Sequence, residues 1–176
     1  MGSEDQATRT CKLVGTKTEV IILKQDTIIA PGNGYTGGHS WTQSSQGGAP
    51  SSDYLYMIHD PLKNTAMDIH EYLDSDFSGT YLNCSQSRPT RLAPLTAWLK
   101  TYGLNAMGTD SGGSNGTEGE GDIDGLVNYL ADSEEYIGCS AWPAGPLWGT
   151  NSPCCTSGIQ YGSLEPGSVA SDGSPG

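Results

Sequence analysis

His70, Tyr72 and Asp110 have complementary proton and hydrogen-bonding chemistry, and Trp142 is a flat apolar ring; all four fall at the ends of apolar runs in a chain of 176 residues. A carboxylate can serve as nucleophile or base, and an imidazole and a phenol beside it can orient it and tune its hold on a proton. An indole at the same rim can stack on a sugar face. Such a set suits the cleavage of a glycosidic bond, which turns on carboxylates flanking the scissile oxygen. Taken singly, each residue also fits a structural role: a hydrogen-bonded core imidazole, an aspartate turning into glycines, a core tryptophan. What singles them out is their recurrence at the ends of successive elements.

Those elements are legible from periodicity. Val20 to Leu23 and Thr27 to Ala30 are short β-branched runs, the second closed by Pro31-Gly32, and they predict one or two buried strands. Residues 32–61 are rich in Gly, Ser, Thr and aromatics, a loop of the length that commonly carries function. Met67 to Leu73 is the next strand, with Met67, Ile69 and the stem of Glu71 on one side and His70 and Tyr72 toward its end. Between Pro89 and Leu104, the spacing of Leu92, Leu95, Trp98 and Leu99 predicts a helix stopped by Gly103, a residue that tolerates a left-handed turn. Ala106 to Asp110 is a short strand running into Gly112-Gly113, and Ile123, Leu126, Val127 and Leu130 mark a second helix. Tyr136 to Trp142 predicts a last strand, followed by a Pro/Gly/Trp loop and a Gly/Ser-rich tail. Strand, helix, strand, helix, strand, at steps of roughly 30 residues, is the pattern of parallel βαβ units. In a barrel of such units the working residues sit at the C-terminal ends of the strands.

Bulk properties narrow the partners. Eight Lys and Arg against 20 Asp and Glu leave a net charge of -12, which argues against nucleic acid and anionic membranes. Apolar residues make up 35% of the chain, with 25 glycines and a single Phe, Phe77, so the protein reads as globular but light in core material. No apolar run is long enough to span a bilayer, and Met1 to Arg9 holds no apolar signal core. The five cysteines allow at most two disulfides, and neither their spacing nor the three His reads as a zinc site, so no metal or cofactor is expected. Asn83-Cys84-Ser85 and Asn115-Gly116-Thr117 are glycosylation sequons.

The run Asp68-Ile69-His70-Glu71-Tyr72-Leu73-Asp74-Ser75-Asp76-Phe77-Ser78-Gly79 resembles the signature of fungal family 5 endoglucanases. Pro31-Gly32-Asn33 with Tyr35-Thr36-Gly37-Gly38-His39-Ser40-Trp41 is similar to the loop after that family's fifth barrel strand, and Gly112-Gly113-Ser114-Asn115-Gly116 to the segment after its nucleophile. Ala141 to Pro146 and Gly162 to Gly167 resemble the end of the eighth strand and the closing segment. The resemblance implies an α/β fold, a partial (β/α)8 TIM barrel holding approximately strands five to eight. Residues 19–176 would be the C-terminal half of the barrel domain and residues 1–18 a divergent N-terminal segment. It further implies a secreted, extracellular enzyme without a cofactor that hydrolyses β-1,4-glucan with retention, its partner a cellulose-like polysaccharide. Asp110 stands at the nucleophile position, His70 and Tyr72 match the pair that hydrogen-bonds beside it, and Trp142 matches the indole under the sugar. Asn33, Tyr35 and Trp41 would line the cleft wall.

Two departures imply impaired hydrolysis. The family nucleophile is Glu, so Asp110 withdraws the carboxylate by one methylene, on the order of 1 Å, a misplacement that can cost about 100-fold in rate. The family's acid/base Glu belongs to an Asn-Glu-Pro motif, which occurs nowhere in this sequence, so the proton donor is missing; full activity would point to another carboxylate as donor, Glu71 or one from a second copy. The alternative is a non-catalytic β-glucan-binding remnant, in which Trp148 joins Trp142, Tyr35 and Trp41 as a stacking ring. By the resemblance Cys84 lacks its partner near Gly119, and open sheet edges would favour self-association.

Overall fold

The alternation read from the sequence becomes a parallel sheet with helices on one side. A computed structural model describes residues 9–12, 19–22, 26–79, 84, 89–113 and 117–142. Its elements are β1 (Arg9–Lys12), β2 (Glu19–Ile22), β3 (Ile28–Ala30), β4 (Thr65–Tyr72), α1 (Ala93–Tyr102), β5 (Asn105–Gly112), α2 (Thr117–Asp132) and β6 (Tyr136–Cys139). The sheet order is β3-β4-β5-β6, every pair parallel. Among the described residues β3 and β6 are its edges.

The first β-branched run forms a strand, as its composition predicts, but outside the parallel sheet. Val20 to Ile22 lie in β2, which pairs antiparallel with β1 from Arg9↔Ile22 to Lys12↔Glu19 and stays apart from the parallel sheet. A hairpin satisfies its ladder locally, whereas a parallel partner requires a long crossover. This pairing also crosses the boundary between residues 18 and 19 at which the sequence divides the chain. The second run forms β3, three half-buried residues with one neighbour, in keeping with the shortness of edge strands.

Strand β4 alternates cleanly. Met67 and Ile69 are fully buried and join Leu92, Leu95, Leu99, Leu126 and Leu130 in one core, which places that face of β4 against the helices. Asp68, His70 and Tyr72, on the opposite face, are half-buried. Helix α1 is entered through a single 3-10 turn, Pro89–Leu92, where the sequence predicts continuous helix, and Pro94 in its first turn costs no intrahelical bond. It ends as predicted at Gly103, left-handed at φ 62°, whose N–H caps the Leu99 carbonyl. The Thr96 hydroxyl meets the hydroxyls of Tyr129 and Tyr136, each at 2.7 Å, and so ties α1 to α2 and β6.

Strand β6 stops at Cys139, three residues short of the expected Trp142. Beyond it serine hydroxyls add to the remaining backbone bonds: Ser140 Oγ donates to the Thr109 carbonyl at 2.5 Å and Ser111 Oγ to the Ser140 carbonyl at 2.8 Å, beside the Ser140 N–H on the Gly108 carbonyl at 2.7 Å. Residues 32–61 are a loop, as expected, punctuated by short 3-10 turns at Gly34–Thr36, Ser51–Asp53 and Leu55–Met57. Among the described residues no helix is long and apolar enough to cross a membrane.

Candidate active site

The register between β4 and β5 builds the rim. Ile69 pairs with Gly108, but His70 pairs with Asp110, so Thr109 is an extra residue in β5. Such a bulge bends a strand and re-aims its side chains. Here Thr109 and Asp110 both reach the same face of β4: the Thr109 hydroxyl donates to Asp68 Oδ1, and the Tyr72 hydroxyl donates to Asp110 Oδ1. His70 sits between the two carboxylates, Nε2 at 3.7 Å from Asp68 Oδ2 and Nδ1 at 3.8 Å from Asp110 Oδ2. Those separations are long for hydrogen bonds and suit a charge contact or a bridging water.

Tyr72 stays protonated, and so able to donate to Asp110, across the working range of pH. Burial pushes its phenol well above the usual value, and the hydrogen bond to Asp110 with the charges of Asp110 and Asp74 pushes it further. Asp110 is therefore held by a neutral donor on one oxygen, while its side chain, 26% exposed, remains open to a ligand. Gly112 leaves the room this needs, since a Cβ there would lie 3.1 Å from Tyr72 Cε1 and 3.3 Å from the Trp142 carbonyl oxygen.

Trp142 is anchored to the same strand end, its N–H donating to the Ser111 carbonyl at 2.9 Å, and it is 48% exposed. Asn33 and Tyr35 lie on the turn after β3. The Asn33 amide donates to the Ala49 carbonyl at 3.0 Å, and Tyr35 is 80% exposed at a positive φ of 54°. That turn reaches the rim through Gly38, whose N–H donates to the His70 carbonyl at 3.0 Å. Trp41 does not join them. It is 1% exposed, edge-on to Trp98 at 5.6 Å, and its place is the core rather than the cleft wall. The backbone folds back at Gly38 and Trp41, and the largest apolar surface in the segment goes inside.

Glu71 is likewise placed away from the rim. Period-2 alternation turns it to the helix side of β4, where it is 5% exposed and its Oε2 accepts the His39 N–H at 2.9 Å, with His39 Nδ1 at 3.2 Å. It is not available to donate a proton beside Asp110. Asp68 and Thr109 were not singled out by residue type, although the alternation of Asp68, His70 and Tyr72 puts all three on one face. Among the described residues no group of three or more His, Cys, Asp or Glu is arranged to hold a metal ion. Trp148, Cys154, Cys155, both sequon asparagines and the Gly162 to Gly167 segment lie outside the described residues.

The family model for Cellulase (glycosyl hydrolase family 5) matches residues 14–147. Endoglucanase 1 of Robillarda sp. is 60% identical over 149 residues, covering 85% of this chain and 38% of that protein. Among solved structures, XacCel5A in complex with cellopentaose superposes with a TM-score of 0.69 at 28% identity, over 85% of this chain and 45% of that one. Cel5A (EG2) from Hypocrea jecorina gives a TM-score of 0.59 at 31% identity, over 68% and 36%. The four parallel strands and their helices are part of a (β/α) barrel. The chain spans about two fifths of the length of the curated relatives it matches.

Proposed function

The chain belongs to glycosyl hydrolase family 5, a family of cellulases, and on that premise we propose that it supplies the strand-five-to-eight side of a secreted β-1,4-glucanase cleft with Asp110 at the nucleophile position. One observation carries this reading: the Tyr72 hydroxyl on Asp110 Oδ1, with His70 Nδ1 at 3.8 Å from Oδ2, all at matching strand ends. Retaining cleavage needs one carboxylate to attack the anomeric carbon and a second, about 5 to 5.5 Å away, to protonate the leaving oxygen. Tyr72 fixes one oxygen of Asp110 and leaves Oδ2 for attack. His70 lies between Asp68 and Asp110, with one ring nitrogen toward each carboxylate. Trp142 offers an exposed ring for the sugar at the cleavage point.

Hydrolysis by these residues is slow on this reading. An Asp in place of Glu stands back by one methylene, on the order of 1 Å, for about 100-fold in rate. Neither of the other two carboxylates of β4 suits the part of general acid: Asp68 is two residues deeper and engaged with Thr109, and Glu71 faces the helices. The general acid would come from outside these elements. Among the described residues β3 and β6 each have one neighbour in the sheet, and further strands, of the same protein or of a second copy, would pair with their outer edges.

The test is release of reducing ends from a soluble cellulose derivative. Asp110→Asn is expected to abolish whatever rate the chain shows, and Asp110→Glu to raise it without reaching the level of a complete family member. A rate that survives Asp110→Asn removes Asp110 from the reaction. Binding without turnover is the second reading, favoured by the exposure of Tyr35 and Trp142, 80% and 48%. It predicts glucan-dependent change in tryptophan fluorescence with no new reducing ends.

A further inference from the structure

Glu71 is a buried carboxylate with no part in the rim chemistry, and its partners lie on a different loop. Its Oε2 accepts the N–H of His39 at 2.9 Å and lies 3.2 Å from His39 Nδ1. The His39 ring stacks on Phe77, centroids 3.6 Å apart and planes within 12°, and the Arg91 guanidinium lies 5.1 Å from the same Phe77 centroid. Three side chains from three segments are thus stacked in series from this carboxylate: His39 of the turn after β3, Phe77 of the segment after β4, and Arg91 of the approach to α1. The backbone is equally tight. A Cβ on Gly38 would lie 2.6 Å from Leu92 Cδ2 and 3.2 Å from Glu71 Oε2. Gly37 bridges His70, and the Gly38 N–H donates to the His70 carbonyl.

A buried carboxylate is costly unless hydrogen-bonded, so the bonds to His39 persist only while the turn keeps its place. The same turn carries Asn33 and Tyr35 and is pinned to the backbone of His70. We propose that Glu71 is a positioning residue for glucan recognition: from the helix side of β4 it holds His39, and through His39 it fixes the turn that presents Tyr35 and Asn33 beside the rim. This rests on the reading that a β-glucan chain lies along that rim. Glu71 touches no sugar; it acts through the turn.

Two measurements on the whole chain test it. The first is amide hydrogen exchange of Gly38 and His39 in wild type, Glu71→Ala and Glu71→Gln. Glu71→Ala is expected to speed exchange at His39 by about tenfold or more while leaving Leu99 in α1 unchanged, as local opening does. Glu71→Gln keeps an oxygen acceptor and is expected to restore most of the protection. Unchanged exchange in Glu71→Ala, or an equal loss of protection in α1, overturns the positioning role. The second is cellopentaose affinity in a cycle of Glu71→Ala and Tyr35→Ala. Glu71→Ala is expected to weaken binding about tenfold, and the double variant to bind no worse than Tyr35→Ala alone, because both remove one effect. Additive losses, or unaltered affinity beside a loosened turn, refute the link to recognition. If wild type shows the exchange pattern but takes up no cellopentaose, the glucanase reading fails while the hold of Glu71 on the turn stands.

Discussion

Replacing Tyr72 with Phe removes one oxygen, keeps the ring, and deprives Asp110 of its neutral donor. A phenol donating to a carboxylate is a charge-assisted bond, a class worth about 1.5 to 3 kcal/mol. The Asp110 side chain is 26% exposed, so water recovers part of that when the hydroxyl is lost. The coupling between the two residues should therefore be about 1 to 2 kcal/mol. A double-mutant cycle of Tyr72→Phe and Asp110→Ala isolates it. In the wild-type background Tyr72→Phe leaves a carboxylate short of a partner, whereas in the Asp110→Ala background the hydroxyl has lost its acceptor and its removal is close to neutral. Urea unfolding followed by tryptophan fluorescence reads the difference, and with a slope of about 2 kcal/mol per molar the midpoints separate by ~0.5 to 1 M. A coupling below about 0.3 kcal/mol would show that the contact is incidental and that Asp110 is oriented by something else. The phenol offers a second readout of the same pair. Its ionisation is raised first by burial and then by Asp110, so Asp110→Ala should lower it while leaving it above the ordinary 10.0. Because the folded value is raised, the contribution of Tyr72 to stability is present below pH 10.0 and lost as the pH rises through the folded value.

Trp41→Ala should cost about 3 to 5 kcal/mol as a core cavity, but Trp41→Phe far less. The Trp41 Nε1–H is buried without an acceptor among the described residues, and Phe removes that unmet donor along with the volume. Equal losses in thermal unfolding would contradict this. Gly38→Ala should destabilise by about 1 to 3 kcal/mol through overpacking, since its Cβ would fall 2.6 Å from Leu92 Cδ2. A neutral Gly38→Ala in chemical denaturation would mean that the turn is free to shift. Asp60 caps the entry to β4, accepting the amides of Leu62 and Asn64 and the Thr65 hydroxyl. Slight burial works to raise its pKa, but those hydrogen bonds outweigh it and hold it below the ordinary 3.8. Its stabilising effect is therefore full above pH 3.8 and lost as the pH falls through the lower folded value. Stability curves of wild type and Asp60→Asn should converge in that acid range, and a constant gap down to the lowest pH would refute the assignment.

Much of the site was legible because its residues obey local periods. Period two along Thr65 to Tyr72 separates Met67, Ile69 and Glu71 from Asp68, His70 and Tyr72 before any partner strand is known, and the spacing of Leu92, Leu95 and Leu99 with Gly103 after it defines α1. The run from Asp68 to Gly79 carried the family. What the chain could not announce is non-local. Val20 to Ile22 have the composition of a central strand, yet β1 takes them into a hairpin, because composition does not choose between a near antiparallel partner and a distant parallel one. The resemblance places Trp41 in the cleft wall, whereas the fold buries it in the core, since a turn closed at Gly38 decides which way an aromatic faces. The bulge at Thr109 is a matter of register between strands some 40 residues apart, on the order of a full βαβ unit. Only that register brings Asp110 under the Tyr72 hydroxyl and beside His70. Side-chain alternation and helix spacing are thus properties of the chain by itself; the meeting of Asp110 with Tyr72, and of Glu71 with His39, belongs to the tertiary structure, because hydrogen-bond ladders and loop closure join residues whose sequence neighbours carry no trace of one another.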